Sequence, residues 1–254
     1  MHSPTGPERT SPFYWNEEVR PGLRVAFTSV AAGNLAQHVG ADPAAVRRNR
    51  QRLEEAMDVP PGSLRFMSQT HSDRVALLGG EGPQAQEAVP PDADGMLSLD
   101  GREAMAVLVA DCVPIVLAGA PGPEGEPGPT AVVHAGRAGV GNGIVTRAVD
   151  LLHANGARDV TGWIGPSVCG FCYEVPEEMM LGLARSVPAA SSRTAAGTPA
   201  LNLPAAVRFQ LDQSGVRVVA VEGAGTSCTL ENPHLYSHRR EPGAGRIAGL
   251  VWRT

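Results

Sequence analysis

The hydrophobic pattern cuts this chain into short buried runs separated by polar turns. Residues 24–28 are apolar enough to read as a first short strand. Asp42-Pro43 then opens a helix, with Asp42 as its N-cap and Pro43 at the first helical position. Val46, Leu53 and Met57 give that helix an apolar stripe, while Arg47, Arg48, Asn49, Arg50 and Arg52 crowd its other faces. Pro60-Pro61-Gly62 ends it. Residues 64–69 and 75–78 read as strands around a short turn. Residues 105–119 form an apolar run interrupted only at Asp111-Cys112 and Pro114, which predicts one buried strand, or two with a bend. A Pro/Gly/Glu loop over 120–130 separates it from another buried strand at 131–134. A helix follows over 142–153, closed by Asn155-Gly156. Beyond it come a strand at 159–165, helices at 177–186 and 205–213 flanking a Ser/Ala/Thr/Gly loop at 189–200, and strands at 216–221 and 247–252. Residues 1–22 read as a loose N-terminal arm. With no linker, repeat or heptad pattern, the pattern predicts a single mixed α/β domain over residues 23–254.

Composition narrows the chemistry. The chain has 254 residues, 43% of them hydrophobic, enough to bury a sizeable core. Net charge is −5 and no basic stripe is visible, which argues against nucleic acid as a partner. All 21 Lys+Arg residues are arginine, so a Schiff-base lysine and a P-loop lysine are both excluded. The polar start has no apolar core of a signal peptide, and no apolar run reaches the roughly 18 residues of a membrane span. A cytoplasmic protein is expected. Four cysteines in a chain of this length make core residues, ligands or nucleophiles rather than a disulfide framework.

Three segments put a metal-binding or nucleophilic group directly beside an apolar run: Gln69-Thr70-His71-Ser72, Ala110-Asp111-Cys112-Val113 and Val133-His134-Ala135-Gly136. Strand ends present side chains to clefts on a rigid scaffold. Two imidazoles and a thiolate suit zinc and leave a fourth position for water or substrate. Spacing alone gives no signature, because the three are distant in sequence. On residue types and spacing alone, ordinary hydrogen-bonded histidines and a core cysteine are the commoner explanation. Cys169-Gly-Phe-Cys172 is a CxxC, open to reading as a redox pair or as half of a zinc site. No second CxxC exists, so a structural role is favoured, with Cys228 as a core residue.

Taken in order, Gln-Thr-His71, Asp94-Gly95, Ala-Asp111-Cys112-Val-Pro, Val-His134-Ala-Gly, Gly165-Pro166 with Cys172-Tyr173-Glu174-Val175, and Ser237-His238-Arg239-Arg240 with Gly245-Arg246 resemble the YfiH family. That family is also called the laccase-domain, multicopper polyphenol oxidase or peptidoglycan editing factor family. The resemblance spans residues 24 to 252. It implies an α+β single-domain sandwich of mixed β-sheets with outer helices, a fold similar to the cytotoxic-necrotizing-factor deamidases. It implies zinc held by His71, Cys112 and His134. It also implies purine nucleoside phosphorylase, adenosine deaminase and methylthioadenosine phosphorylase activities on small-molecule substrates. Laccase chemistry is a poor match, since several coppers need many imidazoles and the chain has seven histidines. The sequence departs from the family at Arg137-Ala138, where Trp-Arg is usual, and at Asn202-Leu203-Pro204, where aspartate is usual. The stretch from Ser29 to Asn34 is also shortened.

Phosphorolysis requires arginines for the phosphate. The candidates are Arg50, Arg240 and Arg246. Asp111, beside a ligand, is a candidate orienting or acid/base group, joining Cys112 and His134 as catalytic residues. Two alternatives stand beside this. One is an amidase editing peptidoglycan precursors, by zinc or with Cys112 as nucleophile and His134 as base. The other is a non-enzymatic structural protein.

Overall fold

Alternation along residues 105–109 shows how the chain is layered. Met105, Val107 and Val109 enter one apolar cluster and Ala106 and Leu108 enter another. A strand buried on both faces lies between two packed layers. The computed structural model describes residues 11–40, 42–79, 89–122, 124–223 and 225–254.

In chain order the strands and helices are β1 (Phe13–Arg20), β2 (Leu23–Thr28), α1 (Pro43–Met57), β3 (Val75–Leu78), β4 (Gly95–Ser98), β5 (Met105–Val109), β6 (Val113–Ala118), β7 (Thr130–Ala135), α2 (Arg137–Asn142), α3 (Ile144–Ala154), β8 (Thr161–Ile164), α4 (Glu177–Ala184), β9 (Ser191–Arg193), β10 (Pro199–Leu201), α5 (Leu203–Gln213), β11 (Arg217–Val219) and β12 (Ile247–Arg253). Four strands in the order β1-β2-β12-β5 make an antiparallel sheet. Six in the order β11-β8-β6-β7-β4-β3 make a mixed sheet, parallel at β11–β8 and β3–β4. Strands β9 and β10 form a separate hairpin.

The sheets pack face to face. Val25, Phe27, Val107 and Val251 from the first meet Met96, Val116, Val132 and Trp163 from the second. Helix α1 covers the outer face of the four-stranded sheet through Leu53 and Met57, which join Leu108, Leu250 and Trp252. Helices α3, α4 and α5 cover the outer face of the six-stranded sheet, where Ile144, Val149, Leu183 and Val207 meet Ile115, Leu117 and Val133. The result is the expected α+β sandwich with outer helices. No helix among the described residues is long and apolar enough to cross a membrane.

Several elements differ from the sequence reading. The loose arm does not extend to residue 22. Residues 13–20 are the edge strand β1, paired along β2, and residues 1–10 lie outside the described residues. Residues 64–69 make only isolated bridges, Arg65 to Met105 and Ser68 to Asp92. The loop at 189–200 contains the β9–β10 hairpin, and β4 lies in a segment given no element. The helix expected over 142–153 is α3, and α2 before it lies in a segment given no element; Gly143, whose φ of 83° is left-handed, separates the two. Asp42 caps α1 as expected, accepting from the Ala44 N–H at 2.8 Å.

Between β5 and β6 the chain passes from one sheet to the other. That crossing is made at Ala110-Asp111-Cys112, with Asp111 at φ 82°. The bend that the sequence left open is therefore a change of sheet, and it puts Cys112 at the mouth between the two layers.

Candidate metal centre

His134 lies next to the last residue of β7, in step with Val132, which faces the opposite sheet. Cys112 follows the sheet crossing, and His71 projects from the loop before β3. These donor atoms converge: His71, Cys112 and His134 each offer one within 4.8 Å of the others. The Cys112 Sγ to His71 Nε2 distance is 3.7 Å, and the two imidazoles meet edge to face with centroids 4.8 Å apart. Burial is graded, with His134 buried, Cys112 intermediate and His71 exposed, so the group is rigid at its base and open at its rim.

Asp94 organises this arrangement, and the sequence reading did not include it among the site residues. Its carboxylate is fully buried at the start of β4. Oδ1 accepts from His134 Nδ1 at 2.7 Å and from the His71 N–H at 3.0 Å. Oδ2 accepts from the Thr70 N–H at 3.2 Å, the Ser72 N–H and the Ser72 hydroxyl at 2.7 Å. One carboxylate thus sets the tautomer of one imidazole and holds the left-handed turn, φ 62° at His71, that aims the other. Burial pushes the Asp94 carboxyl up. Hydrogen bonds from His134 and Ser72 outweigh it and hold the group well below the usual carboxylate range. The sequence signal was Asp94-Gly95 within the ordered motif set.

The donor set fits a tetrahedral soft cation. With Asp94 on Nδ1, His134 turns Nε2 toward Cys112 and His71, and three protein donors leave one position open. Burial raises the Cys112 thiol, but the His134 charge and hydrogen bonds from both imidazoles bring it down to about 6. Burial lowers His134, and the Cys112 thiolate with Asp94 raises it to about 9. The cradle is tight: a Cβ on Gly136 would lie 2.7 Å from His71 Cδ2 and 3.0 Å from Cys112 Sγ. Gly136→Ala is therefore expected to fold with its metal affinity reduced at least about tenfold, as loss of ligand orientation does. Competition with a chromogenic chelator measures this, and wild-type affinity would refute the cradle.

A cavity of about 370 Å³ opens onto these donors, bounded also by His38, Gln69, Tyr173, His238, Arg239 and Arg246. That volume lies within the range of small-molecule sites. Of the three arginines proposed from sequence, only Arg246 borders it. Burial lowers the Arg246 pKa, against the opposing charges of Cys112 and Asp111.

Arg50 and Arg240 are elsewhere. The Arg50 guanidinium stacks 3.6 Å from the Phe66 ring centroid and donates to the Leu35 carbonyl at 2.9 Å. Burial lowers its pKa to about 10, with Glu54 opposing. It braces the segment that carries His38 and does not face the cavity. Arg240 donates to the carbonyls of Thr229, Leu230, Asn232 and Leu235, so its cation is committed to a loop. The arginine that sequence reasoning passed over is Arg239, which borders the cavity and stacks 4.5 Å over Tyr173. Adjacent arginines at 239 and 240 cannot be told apart by type, and only the turn between them places one at the cavity's exposed rim.

Asp111 borders the cavity, but both its oxygens are engaged. Oδ1 accepts from the Thr229 hydroxyl at 2.7 Å and Oδ2 from the Arg239 N–H at 2.8 Å. It ties the sheet crossing to two points, Thr229 and Arg239, of the connection between β11 and β12. Arg137 is exposed at the start of α2. Asn202 caps α5, accepting from the Ala205 N–H at 3.0 Å, so the change from aspartate keeps the cap.

Residues 24–254 match a family model described as multi-copper polyphenol oxidoreductase laccase. The chain is 42% identical over 221 residues to a purine nucleoside phosphorylase of Mycobacterium tuberculosis, covering 86% of this chain and 84% of that one. It is 36% identical over 241 residues to a purine nucleoside phosphorylase of Corynebacterium glutamicum, covering 91% and 94%. Among solved structures, YlmD from Geobacillus stearothermophilus aligns with a TM-score of 0.77 at 27% identity, covering 95% of this chain and 99% of that one. The Neisseria meningitidis protein NMB0706 aligns with a TM-score of 0.76 at 26% identity and the same coverage.

Proposed function

The chain belongs to the multi-copper polyphenol oxidoreductase laccase family, and we propose that it is a zinc-dependent purine nucleoside phosphorylase that also deaminates adenosine and cleaves methylthioadenosine. One observation supports this above the others: His71, Cys112 and His134 converge at a cavity that also holds Arg239 and Arg246. The names of the two phosphorylase relatives point the same way. Copper oxidase chemistry is not supported, because several coppers require many imidazoles and only two histidines belong to this group.

Zinc held by His71, Cys112 and His134 would supply a Lewis acid beside the substrate. The chain's own groups account for the rest. Arg246 and Arg239 hold the phosphate by charge-assisted hydrogen bonds, with one phosphate oxygen turned to the ribose C1′. A C–O bond forms there as the C1′–N bond breaks. The base leaves with the electron pair and takes up the proton that the attacking hydrogen phosphate gives up, giving ribose 1-phosphate and free purine. Tyr173, backed by Arg239, offers a flat wall to the purine. Burial, then Arg246 and Arg50, lower the His38 pKa, leaving a neutral imidazole to hydrogen-bond the substrate.

The test is incubation of zinc-loaded protein with adenosine and phosphate, following adenine, inosine and ribose 1-phosphate by chromatography. Base release that requires phosphate is expected, and none above a protein-free control overturns the phosphorylase reading. Arg246→Ala is expected to raise the KM for phosphate at least about tenfold, the effect of losing one charged hydrogen bond. An unchanged KM removes Arg246 from the phosphate site.

A second reading rests on the depressed Cys112 thiol beside a charged His134. That pairing suits a cysteine amidase acting on a peptidoglycan precursor. Chelation separates the two, since it stops zinc-dependent phosphorolysis and leaves a thiol amidase active.

A further inference from the structure

The CxxC at Cys169–Cys172 has a partner that sequence spacing hides. Fifty-five positions after Cys172 by the numbering comes Ser227, and the next residue opens a second four-residue turn, Cys228-Thr-Leu-Glu231. The two turns are built alike. In the first, the Cys172 N–H donates to the Cys169 carbonyl at 3.1 Å; in the second, the Glu231 N–H donates to the Cys228 carbonyl at 3.2 Å. Each turn presents its first and fourth side chains together.

Backbone pairing brings the turns face to face. Ser167 bridges Cys228, with its N–H on the Ser227 carbonyl at 3.1 Å and its carbonyl accepting from the Thr229 N–H at 3.1 Å. The Cys169 N–H then points at Cys228 Sγ, 3.4 Å away. Three sulfurs and one carboxylate oxygen consequently lie within 4.8 Å of one another. Cys172 Sγ is 3.4 Å from Glu231 Oε1. A tetrahedral zinc ion with Zn–S of about 2.3 Å and Zn–O of about 2.0 Å sets donors roughly 3.5–3.8 Å apart, so these positions need only small adjustment.

We propose that Cys169, Cys172, Cys228 and Glu231 form a second zinc site, separate from His71, Cys112 and His134. Thiolate-rich donor sets select zinc over hard cations. CxxC paired with a second turn of the same length is the spacing of closed structural sites, here with Glu231 in place of a fourth cysteine. Four protein donors fill the coordination sphere, so this ion binds no substrate. Its role is to fasten two loops that reach the cavity. Cys172 precedes Tyr173, which lies under Arg239, and Cys228 precedes Thr229, which holds Asp111.

Metal analysis of the full-length chain tests this after zinc-supplemented expression and dialysis against a weak chelator. Wild type should carry two zinc equivalents per chain. Cys112→Ala should keep one, and Cys169→Ser/Cys172→Ser should keep the other. If the double variant does not fold, cobalt substitution of Cys112→Ala provides an independent readout. A sulfur-to-cobalt charge-transfer band must appear there, since no thiolate remains at the first site. Cys112→Ala with less than half an equivalent of zinc overturns the proposal. So does a wild-type mass lower by two hydrogens, which would mean that two of these thiols are joined. None of these outcomes depends on which reaction the cavity carries out.

Discussion

Cys112→Ala is expected to lose the zinc shared with His71 and His134 and, with it, roughly a thousandfold or more in phosphorolysis. The residue that remains is methyl-sized, so two imidazoles are left to hold the ion. Zinc sites in proteins keep three protein ligands even when catalytic, and two distant histidines without a thiolate fall below that number. A Lewis acid beside a reacting oxygen contributes several kcal/mol, and each 1.36 kcal/mol is a factor of ten in rate. The fold should survive, because Cys112 is only partly buried and its substitution removes one sulfur atom. Circular dichroism should match wild type while zinc content falls by one equivalent. Unchanged zinc content with an unchanged rate would eliminate Cys112 as a ligand.

Asp94→Asn should destabilise the protein by about 3–5 kcal/mol, the range for breaking a buried charged network. The substitution is nearly isosteric, so the cost is electrostatic. Every group facing Asp94 is a donor: His134 Nδ1 and the His71 N–H on one oxygen, and the Thr70 N–H, the Ser72 N–H and the Ser72 hydroxyl on the other. An amide can accept on one side only, and its NH₂ must confront donors on the other. Metal affinity should fall about 10–100-fold as His134 and the His71 turn lose their brace.

The pH dependence has a definite sign. Asp94 titrates lower in the folded chain than in the unfolded one. Its contribution is therefore fully present above the unfolded value near about 4, and is lost as pH falls through the lower folded value. The stability gap between wild type and Asp94→Asn should narrow below about pH 4 as Asp94 protonates. It should also narrow above the unfolded histidine value near about 6.5, because Asp94 helps raise His134 and that contribution is lost as pH rises toward about 9. Denaturant unfolding of the metal-free proteins across that range measures it. A gap that widens as pH falls below about 4 would contradict the assignment.

Element types were legible where local pattern and tertiary environment agree. Asp42-Pro43 and the Val46, Leu53 and Met57 stripe defined α1, and continuous apolar runs defined β5, β6, β7 and β12. They failed where a bulge or polar face masks the period. In β1 the register shifts between Phe13 and Trp15, and Glu17 and Glu18 are both exposed, so a paired edge strand resembles a tail. The β9–β10 hairpin is three residues a side and mostly polar, too short to produce a pattern.

Sequence alone determined which residue types are present and which runs must be buried: the apolar strands, the capped helix, a chain without lysine, and an ordered motif set containing His71, Cys112 and His134. Tertiary structure decided which of those groups meet. Burial follows from local composition, because transfer from water depends on each side chain's own surface. Coordination and ion pairing depend on distances of a few ångströms between residues far apart in the chain, which only the packed sheets establish. For that reason Arg239 borders the cavity and Arg240 does not, Asp94 joins His71 and His134, and Cys228 with Glu231 comes to face Cys169 and Cys172.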